Sequence, residues 1–128
     1  MTQPVRVAVV GLGFVGLPLA LTYAMKGASV IGIDALPHLV EEINAGRSHH
    51  LESYQGKTLP EILREQLDAG RFRATTSYEE AAAHVNSYIV TVGLPVHNGD
   101  PDLGPLKSCA HSLWKVLKKG DMVMIRST

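Results

Sequence analysis

Near its amino end the chain joins an apolar strand, a glycine-rich turn and a helix start with no spacer between them. Residues 5–10 read VRVAVV, a β-branched run typical of a parallel strand covered on both faces. Gly11, Gly13 and Gly16 follow in the spacing GxGxxG. The first glycine permits a sharp turn, the second lets backbone approach a pyrophosphate, and the third lets helix and strand pack closely. This arrangement predicts a nucleotide-binding βαβ unit, with a helix that begins near Phe14 and aims its amino end at the phosphates.

An acidic residue stands at the end of the second predicted strand. Residues 29–33 read SVIGI, and Asp34 follows at about the 20-residue distance from the glycines that dinucleotide-binding units use. A carboxylate in this place accepts hydrogen bonds from the adenosine ribose hydroxyls and repels a 2′-phosphate. Ala35 comes next, so no arginine stands beside Asp34 to receive such a phosphate. The pattern favours NAD over NADP; the alternative is an aspartate that only caps the next helix.

Size and composition limit the remaining classes of function. A chain of 128 residues is long enough for one domain with a real core and short for a two-domain dehydrogenase. Twelve basic and twelve acidic residues balance, so we expect no nucleic-acid partner and no membrane partner. The single cysteine excludes an internal disulfide, and a strand from residue 5 leaves no room for a signal peptide. We therefore expect a cytoplasmic protein.

The rest of the chain alternates predicted helices and strands. Prolines open helices, glycines end them, and short apolar runs between them are typical of strands. Further helices are predicted over residues 37–45, 60–69, 77–83 and 105–118, and further strands over 72–75, 87–93 and 121–125. This alternation predicts a doubly wound α/β domain, with a mainly parallel sheet of about five or six strands and helices on both faces.

Several positions carry narrower predictions. Residues 47–58 show little periodicity and predict an irregular connection, in which the pair His49 and His50 is solvated, so no metal site is expected. Ser77 and Glu80 have the spacing of a capping box. Helical or strand spacing assigns four further residues to the core: Cys109, Trp114, Met122 and Met124.

The segment 94–104 is dense in turn-forming residues and follows a predicted strand. In an open α/β sheet, loops at the carboxyl ends of strands line the ligand crevice. Asp100 and Asp102 are interpreted as turn formers rather than as an acid/base pair, and His97 as a solvated loop residue rather than a ligand contact.

Beyond GxGxxG, longer strings are similar to one family. The matching segments are VVGLGFVGLPLA at 9–20, VIGID at 30–34, AGRFRATT at 69–76, VTVGxP at 90–95, GDPDL at 99–103, LKKGD at 117–121 and ST at 127–128. With these strings the chain resembles the UDP-glucose/GDP-mannose dehydrogenase family, the nucleotide-sugar 6-dehydrogenases, over nearly its whole length. The resemblance is to their N-terminal NAD-binding domain, which has a Rossmann-type fold.

The resemblance implies a part of an enzyme of polysaccharide biosynthesis. Such an enzyme oxidises the C6 alcohol of a UDP- or GDP-sugar to the uronic acid in two NAD-dependent hydride transfers. Residues 1–128 would be its NAD-binding domain, while the central and C-terminal domains, with the catalytic cysteine and lysine and most of the substrate site, would be absent from this chain. We expect no catalytic residue here, no turnover by these residues alone, and a homo-oligomeric parent.

Carried over residue by residue, the resemblance implies a set of cofactor contacts. Pyrophosphate contacts fall on the glycine turn, the adenosine ribose contact on the acid, and nicotinamide-side contacts on the later segments. The implied residues are Gly11, Gly13, Phe14, Val15, Gly16, Asp34, Val92, Gly93, Leu94, Pro95, Ser127 and Thr128. Leu39, Leu94 and Arg126 depart from the residues that many relatives carry at the matching positions.

Two other functions remain open from the sequence. One is a regulatory Rossmann module that senses a nucleotide, because the fold alone does not define an enzyme. The other is a different NAD-dependent dehydrogenase, of the 6-phosphogluconate or hydroxyacyl type. The loop over residues 94–104 distinguishes the sensor from the enzyme that the resemblance implies, because a sensor does not need a loop shaped like that of the sugar dehydrogenases. The helix start GLPLA at 16–20 argues against the other dehydrogenases.

Overall fold

A computed structural model describes residues 5–126 as alternating strands and helices. In chain order the elements are β1 (Arg6–Val10), α1 (Gly16–Met25), β2 (Ser29–Ile33), α2 (Pro37–Asn44), β3 (Ser53–Tyr54), β4 (Lys57–Thr58), α3 (Leu59–Asp68), β5 (Phe72–Thr75), α4 (Tyr78–Ala82), β6 (Ser87–Val90), β7 (Val96–His97), β8 (Asp100–Pro101), α5 (Gly104–Val116) and β9 (Met122–Ile125).

Five strands form one parallel sheet in the order β5-β2-β1-β6-β9. The chain starts in the middle, moves outward to β5, and then crosses to β6 and β9 on the other side of β1. This reversal opens a crevice at the carboxyl ends of β1 and β6, the place where open α/β sheets bind their ligands. The predicted doubly wound parallel sheet is confirmed.

Strand β1 is buried on both faces, as its unbroken apolar run predicts. Val7 and Val9 pack into the core beneath α1, α2 and α3, whereas Ala8 and Val10 pack into the core beneath α4 and α5. Because successive side chains of a strand point to opposite faces, one pentapeptide contributes to both cores. Helices therefore cover both faces of the sheet.

The helices differ from their predicted bounds in modest ways. Helix α1 begins at Gly16 rather than near Phe14, because residues 13–15 form a turn between the strand and the helix. The longest helix, α5, has 13 residues and ends at Val116. Over residues 5–126 no helix is long and apolar enough to cross a membrane.

The connection over residues 47–58 is not wholly irregular, which corrects the prediction. Residues 53–54 pair antiparallel with residues 57–58, as β3 and β4. Gln55 and Gly56 form the turn between them, and both have positive φ, at 52° and 81°. Such a two-residue turn suits a hairpin because positive φ at both positions matches the twist of the strands.

The assignment of Trp114, Met122 and Met124 to the core is wrong. Trp114 is 80% exposed, and all four residues of β9 are exposed. Strand β9 is the edge of the sheet, and its methionines share a face with Ile89 of β6, while α1 packs over β1, β2 and β5 further in. The spacing of these residues places them on the apolar face of their helix or strand. It does not show whether another element covers that face.

Candidate functional site

A cavity of about 490 Å³ opens at the carboxyl ends of β1, β2 and β6. Its floor is the glycine turn, one wall is the loop after β2, and the other wall is α4 and α5. The lining residues are Val10, Gly11, Gly13, Phe14, Val15, Ile33, Asp34, Ala35, Tyr78, Thr91, Val92, Gly93, Pro105, Ser108, Cys109 and Ser112. No lysine, arginine or histidine is among them, so an anion bound here would be held by backbone N–H groups and helix dipoles.

The glycine turn is held by bonds to its neighbours on both sides. Gly11 has φ of 93°, and its N–H donates to Ile33 O at 2.8 Å. The hydroxyl of Thr91, just beyond β6, lies 3.0 Å from Val10 O and 2.8 Å from Gly11 O. The turn is thus tied to both neighbouring strands, which gives it one preorganised shape.

Gly13 and Gly16 are glycine for different reasons. A Cβ on Gly16 would lie 1.6 Å from Gly11 O and 2.6 Å from Thr91 Oγ1, so only glycine permits the observed approach of helix and turn. A Cβ on Gly13 would meet nothing within 4 Å. The protein itself does not need a glycine at 13, whereas a ligand lying against the backbone there would.

The amino end of α1 is open towards the same cavity. Its N-cap residue is Val15, and no side chain caps the helix. By contrast, the N-terminus of α3 is capped by the hydroxyl of Thr58, which accepts a hydrogen bond from Glu61 N. Helix N–H groups that lack a capping side chain are available to an anion, and the helix dipole favours a negative charge there.

Asp34 is fixed by two backbone donors. Its carboxylate accepts from Leu12 N at 2.8 Å and from Leu36 N at 3.1 Å. The N-cap residue of α2 is Leu36 and no side chain caps this helix, so Asp34 is not a helix cap; its carboxylate joins the end of β2 to the glycine turn. Each carboxylate oxygen has more than one acceptor site, which leaves capacity for ribose hydroxyls.

Tyr78 and Cys109 form a neutral wall of the cavity. Burial, followed by a hydrogen bond to Cys109, raises the pKa of the Tyr78 hydroxyl. Burial likewise raises the pKa of the Cys109 thiol, although its bond to Tyr78 acts in the opposite direction. Cys109 is 6% exposed, in keeping with its predicted core position. A thiol whose pKa is raised is a poor nucleophile at neutral pH.

These residues fit NAD. The open space at Gly13 and the uncapped end of α1 suit a pyrophosphate, and the anchored Asp34 carboxylate suits the adenosine ribose. A sequence profile of the UDP-glucose/GDP-mannose dehydrogenase family, NAD binding domain, matches residues 5–128. The chain belongs to this family. The cofactor of this family's domain is NAD.

Several curated and solved proteins are similar to this NAD-binding domain. UDP-N-acetyl-D-mannosamine dehydrogenase of Pyrococcus horikoshii is 35% identical over 126 residues, which is 96% of this chain and 28% of that protein. NDP-N-acetyl-D-galactosaminuronic acid dehydrogenase of Ralstonia nicotianae is 38% identical over 95% of this chain and 27% of its own length. A crystal structure of a ternary complex of GDP-mannose dehydrogenase from Pseudomonas aeruginosa has a TM-score of 0.86 at 30% identity, covering 96% of this chain and 28% of that one. The chain therefore spans little more than a quarter of the length of these relatives.

The structure brings most of the predicted contacts of the NAD-binding domain together. Seven of the twelve line the cavity: Gly11, Gly13, Phe14, Val15, Asp34, Val92 and Gly93. Gly16 is buried behind the turn and acts through packing. Leu94 and Pro95 lie beyond the lining residues, and Ser127 and Thr128 lie outside the described residues.

Four polar residues of the cavity were not among the predicted contacts. They are Tyr78, Thr91, Ser108 and Ser112. The serines carried a signal, because they are four residues apart on one helix and flank Cys109. Thr91 also carried one, because it stands at the carboxyl end of a strand next to β1.

The turn-rich loop contains a second short hairpin, in which β7 pairs antiparallel with β8. Asp102 accepts a hydrogen bond from Gly104 N at 2.8 Å, as expected of a turn former. His97 Nε2 lies 3.5 Å from Asp102 Oδ2, and its side chain is 71% exposed. These contacts organise the loop itself. Residues 94–104 are not among those that line the cavity.

Proposed function

We propose that residues 1–128 are the N-terminal, NAD-binding domain of a nucleotide-sugar 6-dehydrogenase whose central and C-terminal parts lie outside this chain. The family match and relatives more than three times as long support the proposal. The relatives named above act on different nucleotide sugars at similar identity. The proposal is therefore confined to the class of UDP- or GDP-sugars.

The observation that carries the proposal is the combination of Asp34 and Gly13 in one cavity. The carboxylate of Asp34 would accept hydrogen bonds from the adenosine ribose, and the open face of Gly13 would admit the pyrophosphate. Phe14, Val15 and the amino end of α1 would donate to its oxygens. Val92, Gly93, Leu94 and Pro95 would continue towards the nicotinamide, and the resemblance implies contacts on the same side of the cofactor for Ser127 and Thr128.

Bound NAD would supply a hydride acceptor, twice for each sugar. The first transfer would take the C6 alcohol to the aldehyde, and the second would take the hydrated aldehyde to the carboxylate. The part played by this chain is to hold the cofactor in one orientation, so that a substrate held elsewhere meets it. Cys109 is poorly suited to nucleophilic attack on the aldehyde, because its thiol is buried and its raised pKa keeps it protonated.

A titration with NAD and NADP tests the role of Asp34. The unaltered chain should prefer NAD, because the carboxylate repels a 2′-phosphate. The variant Asp34→Asn keeps an acceptor for the backbone donors and removes the charge, so the NAD-to-NADP preference should fall by at least about tenfold. Calorimetry gives both dissociation constants.

Asp68→Asn is the matched control, because it removes an exposed carboxylate at the end of α3. It should leave the preference unchanged. An unaltered preference in Asp34→Asn would show that the carboxylate does not face the ribose. A shift of equal size in Asp68→Asn would assign the effect to net charge alone.

The division of labour between domains gives a second test. These 128 residues, mixed with NAD and a UDP- or GDP-sugar, should form no NADH, because the substrate is not positioned. Joined to the polypeptide that the proposal places after them, they should form two NADH for each uronic acid, measured by absorbance and by chromatography of the product. Turnover by the 128 residues alone, or one NADH for each sugar consumed, would contradict the proposal.

A further inference from the structure

A histidine from the α2–α3 connection reaches back to the glycine turn. His50 Nε2 lies 3.2 Å from Gly13 O, across a separation of 37 residues. On the other side of the ring, Nδ1 lies 2.6 Å from Ser48 Oγ. The imidazole therefore bridges its own loop and the turn that the cofactor would contact.

The partners determine the direction of these hydrogen bonds. A carbonyl oxygen only accepts, so Nε2 of His50 donates to Gly13 O. Ser48 Oγ accepts from His50 N at 3.2 Å, and its own proton is thus free to be donated to Nδ1. The serine holds the ring in the tautomer that points a donor at Gly13.

The same ring contacts the next residue of the turn. The rings of Phe14 and His50 meet edge to face, with centroids 5.9 Å apart. With this contact in place the Phe14 side chain is still 86% exposed, whereas His50 is partly buried. His50 thus contacts both residues that share the Gly13–Phe14 peptide unit.

That peptide unit borders the cofactor cavity and a second one. Gly13 and Phe14 line the cavity of about 490 Å³ and also an apolar cavity of about 470 Å³ on the α2 side, which His50 lines too. A hydrogen bond to a peptide carbonyl polarises the peptide and strengthens its N–H as a donor. A donor at Gly13 O therefore acts on the N–H of Phe14.

We propose that His50 is a positioning residue for the cofactor's pyrophosphate: it fixes and polarises the Gly13–Phe14 peptide so that Phe14 N–H donates to a phosphate oxygen. The proposal rests on the NAD-binding function proposed above. It assigns a role in cofactor affinity to the α2–α3 connection, which does not itself line the cofactor cavity.

Three substitutions of His50 separate the effect of its hydrogen-bond donor from the effect of its ring. His50→Gln places an amide nitrogen at about the reach of Nε2 and so keeps a donor for Gly13 O. His50→Asn keeps a polar group near Nδ1 but is too short to reach Gly13. His50→Phe keeps the ring against Phe14 and removes both nitrogens. The control His84→Gln changes an exposed imidazole near Arg6 and Ser29, at the amino ends of β1 and β2, whereas the cofactor cavity lies at their carboxyl ends.

Calorimetry with NAD should place the variants in two groups. His50→Asn and His50→Phe should weaken binding by about three- to tenfold, the effect of one lost hydrogen bond. His50→Gln and His84→Gln should stay within about twofold of the unaltered chain. In the ligand-free protein, the amide proton of Phe14 should move upfield in the first group only, because Gly13 O then keeps only its hydrogen bond from Leu17 N, at 3.3 Å, and the peptide is less polarised.

The outcomes distinguish this proposal from the one on which it rests. Failure of the unaltered chain to bind NAD would overturn both. If all three His50 variants bind NAD as tightly as the unaltered chain does, the role of His50 alone would be overturned. Equal weakening in all three variants, with a lower melting temperature, would show that His50 only stabilises the loop.

Discussion

Replacing Gly16 with alanine should destabilise the fold and abolish cofactor binding together. The new Cβ would lie 1.6 Å from Gly11 O, a backbone atom that no rotamer change can move away. Either α1 or the turn must shift, at a cost of about 1–3 kcal/mol in the free energy of unfolding. The shift would also disturb the hydrogen bonds from Thr91 to Val10 O and Gly11 O. Urea unfolding and NAD calorimetry measure the two effects.

The comparison variant for this substitution alters Thr91, which contacts the same turn. Thr91→Val removes the hydroxyl and leaves Gly16 intact, so it should weaken NAD binding with a smaller loss of stability. Wild-type stability in Gly16→Ala would mean that α1 lies further from the turn than the structure places it.

Replacing Gly13 with alanine should weaken NAD binding without destabilising the fold. The Cβ meets no protein atom within 4 Å, and φ of Gly13 is outside the left-handed region. The free energy of unfolding should therefore change by less than about 1 kcal/mol, and in the stabilising direction, because alanine restricts the unfolded chain. NAD affinity should fall by about tenfold to a hundredfold, because forcing a methyl group into space that the pyrophosphate occupies costs about 1–3 kcal/mol.

The contrast between the two alanines is the sharpest test of the site. A loss of NAD affinity with full stability requires that the ligand, and not the protein, occupies the space beside Gly13. Unchanged affinity in Gly13→Ala would place the pyrophosphate elsewhere. A large loss of stability would show that protein atoms fill that space.

Local sequence signals predicted most of the helices and strands, and they predicted the glycine turn and Asp34 as parts of the candidate site. Prolines, glycines and apolar runs placed the five strands of the sheet correctly to within a few residues. Gly11 and Asp34 were assigned roles that depend on a backbone angle and on a position at a strand end, and both are local properties.

Capping signals show where local patterns stop being sufficient. Ser77 and Glu80 match a capping box, and Ser77 does accept from Glu80 N at 3.1 Å. The Glu80 carboxylate, however, bonds to Arg73 and Thr75, and these hydrogen bonds lower its pKa. The complete capping box belongs to Thr58 and Glu61, which have the same spacing. Competition with partners outside the helix, here on the preceding strand, decides between such matches.

The sequence by itself determined the strand, the glycine turn and the acidic residue of the proposed dinucleotide site, because glycine sterics and strand periodicity act within a few residues. Only the tertiary structure decided which side chains hold that turn in shape. Thr91 and His50 reach Gly11 and Gly13 across separations of 80 and 37 residues. It also decided that Trp114 of α5 and Met124 of β9 are exposed, because burial depends on which elements pack against a helix or strand and not on that element's own pattern.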